Sequence, residues 1–356
     1  MSSPSKDGSA PDAPETPMLY DAHRLLADSF LGDHGLEIKT VIAAFIVGIA
    51  VGITGMGGGA LMTPALIFLG VGDASTVVTA DLAASAVSRS TGAVVHWRQG
   101  SPNLRLAMWL IIGSVPFAFV GPGLIDRLSG GADLNALLQK CIGFALLFAA
   151  TTYALRLYVE LRRRASGHEA PKGEPVVRPI PTMLVGALGG LLVGITSVGA
   201  GSVIMIALLI LYPTLSAVKL VGTDLVQAVP LVLSAAVANI LAHGLDWGIT
   251  IPLIIGSVPG TLLGSRVAGR VPQSVIRRGI VVILTMSGLA LLDKSGWAPL
   301  GAGADETHPA LIALVGLALL ILVPVVWGGL RRTVGLPMFG SPTVEEIEEP
   351  QAAPTP

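Results

Sequence analysis

Long runs of hydrophobic residues, separated by short polar stretches, dominate the chain after a polar segment at residues 1–37. A run of about 20 apolar residues is long enough to span a bilayer as a helix. The hydrophobic segments lie at about 38–71, 75–97, 104–124, 134–158, 180–211, 215–243, 248–268, 274–292 and 308–327. The pattern predicts an all-α polytopic membrane protein.

Two of these segments, 38–71 and 180–211, are too long for one ordinary span, and each contains a glycine-rich interruption. The first is interrupted at Gly55-Met-Gly-Gly-Gly59 and the second at Gly199-Ala-Gly201. Glycine disfavours a continuous helix because it loses the most conformational freedom on folding. We therefore expect two short helices that meet at a break in each segment.

The hydrophobic segments form a duplicated unit. The string Leu-Ile-Ile-Gly-Ser-Val-Pro occurs at Leu110–Pro116 and again at Leu253–Pro259, and Val51–Gly59 resembles Val193–Gly201. We predict a first transmembrane repeat at 38–158, a charged linker at 159–179, a second repeat at 180–292, an extra helix at 307–328 and a disordered tail at 329–356. Duplicated halves with matching breaks are typical of secondary transporters.

Basic residues in the loops predict the orientation, because arginine and lysine favour the cytoplasmic side. The linker, the loop at 266–278 and the Arg331-Arg332 end are basic. These loops share one side only if the 180–211 segment enters and leaves on that side as a hairpin. A hairpin and three crossings per half would invert the two halves. The N-terminus is then outside and the C-terminus cytoplasmic, in the cytoplasmic (inner or plasma) membrane.

Composition agrees with a bilayer environment. Charged residues make up 13% of the chain, with a net charge of −1 and a mean hydropathy of +0.74, whereas soluble domains carry about 25% charged residues. The near-neutral charge argues against a nucleic-acid partner. The single cysteine, Cys141, excludes an intrachain disulfide and is interpreted as a lipid- or core-facing thiol. No cofactor or metal site is expected, and the oligomeric state is left open.

The segment 75–97 carries a polar stripe. On a helix, its polar residues and one glycine fall within a sector about 100° wide: Asp81, Ser85, Ser88, Arg89, Gly92 and His96. A charge in hydrocarbon costs at least about 2.5–3.5 kcal/mol, so these residues should face the bundle interior or a water-filled cavity. Arg89 and Ser85 are candidates to bind an anion, and Asp81 and His96 to carry a coupling proton. The alternatives are a buried packing network, or a position of Arg89 and His96 at the membrane interface.

The equivalent segment of the second half repeats only part of this stripe. Asp224 repeats Asp81 and is a second candidate for the coupling proton, and Thr223 before it is a candidate substrate contact. Val232 stands where Arg89 stands in the first half. A site with one arginine suits a substrate without two-fold symmetry, and guanidinium binds carboxylate and sulfonate-type oxygens bidentately.

The glycine-rich breaks are the second candidate site. Where a membrane helix restarts, free N–H groups and the positive end of the helix dipole favour an oxyanion. Predicted substrate contacts at the two breaks are Thr54, Gly57, Gly58, Gly59, Ser197, Gly199 and Gly201. In the alternative interpretation the glycines only permit close helix crossings.

With these motifs, the chain resembles the TauE/SafE family of sulfite exporters, also called the toluene-sulfonate uptake permease family. The resemblance covers about 43–127 and 184–270. Its motifs are Gly55–Pro64, Thr79–Leu82 with Arg89, Val95–Gly100 and Gly113–Pro116, then Val221–Leu225, His243–Trp247 and Gly256–Gly260. It implies a cytoplasmic-membrane carrier of sulfur oxyanions, sulfonates or carboxylates. Thr79-Ala-Asp81 and Gln227 depart from the family's usual residues, which puts the substrate in question.

The sequence therefore predicts a secondary active transporter of small anions that works by alternating access, with a small anion and the lipid bilayer as partners. Proton coupling is part of this hypothesis. A non-transporting membrane scaffold or assembly factor is the alternative, and a passive channel is a further one. An intramembrane enzyme is disfavoured because the spans contain no Gly-x-Ser-x-Gly and no His-Glu-x-x-His motif.

Overall fold

The computed structural model describes residues 38–53, 59–99, 102–165, 176–198, 200–212, 215, 217–267, 273–297 and 309–333. Within these ranges the regular structure is entirely α-helical. The helices are α1 Ile38–Ile53, α2 Gly59–Phe68, α3 Ala74–Gln99, α4 Leu104–Ser129, α5 Leu134–Ala165, α6 Pro179–Thr196, α7 Ala200–Leu211, α8 Ala217–His243, α9 Trp247–Val267, α10 Gln273–Lys294 and α11 Pro309–Thr333. The predicted all-α class is confirmed.

Six of the described helices are long and apolar enough to cross a membrane. They are α4, α6 and α9 over their whole length, and parts of α5, α8 and α11. Many of their large apolar side chains are exposed on the outside of the bundle, Leu188 and Ile255 among them. An apolar exterior of this kind suits lipid, so the chain is a multi-pass membrane protein.

The two long hydrophobic segments are each divided into a helix pair. In the second, α6 ends at Thr196, and Ser197 has a left-handed backbone conformation with φ 58°. A left-handed residue closes a helix because the chain cannot continue in the α conformation beyond it. In the first segment α1 and α2 flank residues 54–58, which lie outside the described residues. Each segment is divided into two helices, as the glycines predicted, but α6 is not short, because it is long enough to cross a membrane.

The ends of the α6–α7 pair lie together. The hydroxyl of Tyr212, directly after α7, accepts a hydrogen bond of 2.9 Å from the backbone N–H of Arg178, directly before α6. It also bonds Thr182 Oγ1, at 2.5 Å, in the first turn of α6. The pair is therefore a hairpin whose chain returns to the end from which it started. Inversion of the two halves relative to the bilayer stays a prediction.

Equivalent helices of the two halves interlock through glycines. A side chain at Gly48 on α1 would meet the backbone oxygen of Ser257 on α9, and one at Gly190 on α6 would meet that of Ser114 on α4. Gly48 and Gly190 are equivalent in the repeat, as are Ser114 and Ser257. The first helix of each half thus crosses the fourth helix of the other at backbone contact, as small-residue crossings in membranes allow.

The interlocked crossing predicts that Gly190→Ala destabilises the protein more than Gly123→Ala. The new methyl group at Gly190 overlaps backbone atoms of Ser114, which cannot move aside as a flexible side chain does. Overpacking of this kind costs about 1–3 kcal/mol. Gly123 on α4 has no neighbouring atom within 4 Å of an added Cβ and is the matched control. Thermal unfolding in detergent measures both, and equal melting temperatures for the two variants would contradict the packing described.

Candidate functional site

Asp81 lies at the meeting point of the two halves. Its carboxylate is almost fully buried, with 2% of the residue exposed. Oδ2 accepts hydrogen bonds from Thr63 Oγ1 at 2.7 Å and Ser197 Oγ at 2.8 Å, and Oδ1 accepts a longer one from Ser85 Oγ at 3.4 Å. One carboxylate on α3 is thus joined to α2 of its own half and to the α6–α7 break of the other half.

Local backbone geometry brings these donors to Asp81. Ser197 is the left-handed residue that ends α6, so its hydroxyl stands at the break rather than on a helix face. Gly59, the first residue of α2, contacts the backbone oxygen of Ser197 so closely that no Cβ fits between them. This contact brings the start of α2 against the break of the other half. Thr63, one turn into α2, then reaches the same carboxylate oxygen.

A second buried carboxylate, Asp224 on α8, faces the arginine of the predicted stripe. Gln227 Nε2 donates to Asp224 Oδ1 at 3.0 Å. The positive charges of Arg89 on α3 and Arg156 on α5 both interact with Asp224, and Arg89 also interacts with Asp81. The helices α3 and α8 pack directly on each other. Arg89 is therefore a positive charge that interacts with the carboxylates of both halves.

One donor of the Arg89 guanidinium has no hydrogen-bond partner among the described residues. Its Nε is buried, and no hydrogen-bond acceptor among the described residues reaches it. Leaving a buried polar group without a partner costs about 1–3 kcal/mol, and more when the group is charged. A buried cation with a free donor is suited to bind an oxyanion, the group to which guanidinium bonds most strongly.

The structure brings together part of the predicted site. Asp81, Ser85, Ser197 and Gly59 are in contact, and Arg89 and Asp224 interact electrostatically. Gly201 lies at the start of α7. The predicted residues that fall outside the described residues are Thr54, Gly57, Gly58 and Gly199, together with the side chain of His96.

Thr223, a predicted substrate contact, makes its hydrogen bonds with the backbone of Lys219 and Asn103. Its hydroxyl donates to the backbone oxygen of Lys219 at 2.6 Å and accepts the backbone N–H of Asn103 at 3.0 Å. It thus holds the start of α4 against α8.

Thr63 is not among the predicted substrate contacts, although it is one of the hydroxyl donors that the sequence places near the first break. In the sequence, Thr63 stands four residues after Gly59, so the two residues share one face of a helix that begins at the break.

Comparison with known proteins identifies the chain's relatives. The sequence profile of the family described as "Sulfite exporter TauE/SafE" matches residues 40–291. The protein belongs to the TauE/SafE family. The match runs from α1 almost to the end of α10, so α11 lies outside the part that the TauE/SafE profile describes.

Curated relatives agree with the TauE/SafE assignment. A "Probable membrane transporter protein YjnA" of Bacillus subtilis (strain 168) is 31% identical over 258 residues, which are 72% of this chain and 100% of the relative. A "Probable membrane transporter protein YdhB" of the same organism is 25% identical over 71% of this chain and 98% of the relative. A "Probable membrane transporter protein" of Xylella fastidiosa (strain 9a5c) is 28% identical over 74% and 98%. No solved structure matches this chain.

The resemblance inferred from the motifs is confirmed at the level of family. The chain is a membrane transporter of the TauE/SafE family, and the relatives are named as transporters. The sides on which the termini lie and the membrane in which the protein resides stay predictions.

The hydroxyls around Asp81 predict the effect of Thr63→Val, which keeps the shape of the side chain and removes its donor. We expect a loss of about 1.5–3 kcal/mol in stability, because hydrogen bonds to charged groups contribute about this much. Thr285→Val on α10 is the matched control, since Thr285 Oγ1 donates only to Val281 O of its own helix. Thermal unfolding of both variants in detergent measures the difference. An unchanged melting temperature in Thr63→Val alone would show that the Thr63–Asp81 bond contributes nothing.

Proposed function

We propose that the protein is a secondary active transporter of small anions, namely sulfite, organosulfonates or related sulfur oxyanions and carboxylates. Transport proceeds by alternating access to one site. This site is bounded by the α1–α2 break, the α6–α7 break and the helices α3 and α8. One observation carries the proposal: the buried Asp81 is hydrogen-bonded at once by Thr63 of the first half and Ser197 of the second. Because Asp81 is bonded to both halves, a movement of one half relative to the other changes these hydrogen bonds.

The charge of the substrate follows from Arg89. It is the arginine of the polar stripe on α3, and its counterpart in the second half is Val232. Its Nε has no partner within the described part of the chain. An oxyanion supplies the acceptors that the guanidinium lacks. Ser85, one turn before Arg89 on the same helix, and N–H groups at the glycine-rich breaks add further donors in this proposal.

Coupling to protons follows from the two carboxylates. Asp81 and Asp224 are buried, and each interacts with the charge of Arg89. An anion that approaches Arg89 also approaches these negative charges, and a proton on one carboxylate relieves the repulsion. Asp81 or Asp224 therefore carries the coupling proton, with His96 as a further candidate.

Uptake into proteoliposomes tests the proposal. Purified protein is reconstituted, and entry of labelled sulfite is measured with and without a pH gradient, with sulfoacetate and acetate as competitors. We expect saturable uptake that the gradient accelerates and that sulfoacetate inhibits. Counterflow exchange then separates a carrier from a passive channel. Absence of flux for every anion, with correctly folded protein, would refute the transport proposal and favour a membrane scaffold.

A further inference from the structure

Gln227 on α8 is buried completely, and its amide is only half satisfied. Its Nε2 donates to Asp224 Oδ1 at 3.0 Å. Its Oε1 is also buried, yet no donor among the described residues reaches it. While Asp224 is ionised it only accepts hydrogen bonds, so the amide turns its N–H towards Asp224 and leaves Oε1 on the other side. Oε1 is thus a buried acceptor that is available to a ligand.

The two residues that interact with Asp224 from α3 and α8 each have a polar atom without a partner among the described residues, and the two atoms are of opposite kinds. Arg89 Nε is a buried donor without an acceptor, and Gln227 Oε1 is a buried acceptor without a donor. Arg89 interacts with Asp224 from α3, and Gln227 bonds it from the next turn of α8. The only other charge that acts on Asp224 among the described residues is that of Arg156 on α5.

A simple oxyanion satisfies only one of the two atoms. It accepts hydrogen bonds from Arg89, but it has nothing to donate to Gln227. Beside such an anion Oε1 stays unpaired, so the anion gains no hydrogen bond from this atom. A ligand that carries both an anionic group and an O–H or N–H donor satisfies both atoms.

We infer that the site selects anions that carry a hydrogen-bond donor beside the charged group, and that Gln227 Oε1 is the acceptor that reads it. Hydroxylated sulfonates, hydroxycarboxylates and singly protonated oxyanions are the class that fits. The inference rests on the anion transport proposed above and narrows its substrate. Gln227 acts as a specificity-determining residue. The first half has no equivalent, because Ala84 occupies the matching position.

Two pairs of anions that differ by one hydroxyl group test the inference. Uptake of labelled 2-hydroxyethanesulfonate is compared with that of ethanesulfonate, and uptake of glycolate with that of acetate, in proteoliposomes of the full chain. We expect kcat/KM to be about tenfold or more higher for the hydroxylated member, because a site built to bond a hydroxyl rejects the analogue that lacks it.

The variant Gln227→Leu should lower this ratio to about one, and the ratio is compared rather than the absolute rates because Gln227 also bonds Asp224. Gln139→Leu is the matched control. Gln139 is another buried glutamine, but it bonds Asn135 on α5, where Asn135 accepts the N–H of Ala74 at the start of α3. That lies about four helical turns from Arg89. The control should keep the preference of the unaltered protein.

The outcomes are distinct. Equal uptake of both members of each pair by the unaltered protein would overturn the inference and leave anion transport standing. A preference that survives in Gln227→Leu would also overturn it. If Gln227→Leu does not fold, the ratio in the unaltered protein still decides. No uptake of any of the four anions would overturn the inference, and no uptake of sulfite either would overturn the proposed function as well.

Discussion

Replacing Arg89 with alanine is expected to lower anion uptake by about 100-fold, while the protein still folds and inserts. Charge-assisted hydrogen bonds contribute about 1.5–3 kcal/mol each, and about 1.4 kcal/mol corresponds to a factor of ten. Arg89 makes no hydrogen bond through Nε that its loss would break. Its removal also leaves Asp81 and Asp224 without their shared counter-charge. Initial rates of uptake in proteoliposomes measure the effect.

Two further variants sharpen this prediction. Val232→Ala, at the equivalent position of α8, should retain uptake, because Val232 has no polar group to offer a substrate. Arg89→Lys should recover only part of the rate, since an ammonium group keeps the charge but not the planar pair of donors. Uptake by Arg89→Ala equal to that of the unaltered protein would remove Arg89 from the site.

The second large effect is expected for Asp81→Asn, which should abolish acceleration by a pH gradient while anion exchange continues. Asparagine resembles the protonated carboxylic acid in shape and charge, so the variant is fixed in the neutral form. The hydroxyls of Thr63 and Ser197 rotate to suit either group. The gradient-driven component of uptake should fall at least about tenfold, and counterflow should stay measurable.

Asp224→Asn is the comparison that assigns the proton. If Asp81 carries it, gradient acceleration persists in Asp224→Asn. The opposite pattern assigns the proton to Asp224. Full gradient acceleration in both variants would show that neither carboxylate couples transport to protons.

Much of the helix order could be predicted from the sequence, because hydrophobic length and glycine breaks act locally. The segments 180–211 and 104–124 correspond to the α6–α7 pair and to α4, which continues to Ser129. The helix α5 extends to Ala165, beyond the apolar residues that end near Tyr158. Charged residues after Tyr158 do not stop a helix, since arginine and leucine have similar helix propensities.

The partners of Asp81 could be predicted only in part. Its place on the inner face of α3 follows from helical spacing with Ser85 and Arg89. The bond to Ser197 joins residues 116 positions apart and depends on how the two halves interlock. Nothing local in the sequence encodes that contact. The free Oε1 of Gln227 likewise follows from tertiary packing.

The glycines show how one residue type serves two purposes. Gly48 and Gly190 allow backbones to cross, and Gly59 allows α2 to approach Ser197. These contacts support the packing interpretation for those three residues. A role in anion binding at Gly59 stays a proposal, as it does for Gly201.

Alternate exposure of one site to the two sides of the membrane is the central claim, and cysteine labelling tests it most directly. The chain has one cysteine, so Cys141→Ser provides a cysteine-free background. Ser85→Cys then places a thiol beside Asp81. A membrane-impermeant maleimide is applied from either face of oriented vesicles, with and without ethanesulfonate, which does not react with maleimides. The account predicts labelling from both faces, slowed from both by the anion. Labelling from one face only, or labelling that ethanesulfonate does not affect although it is transported, would contradict it.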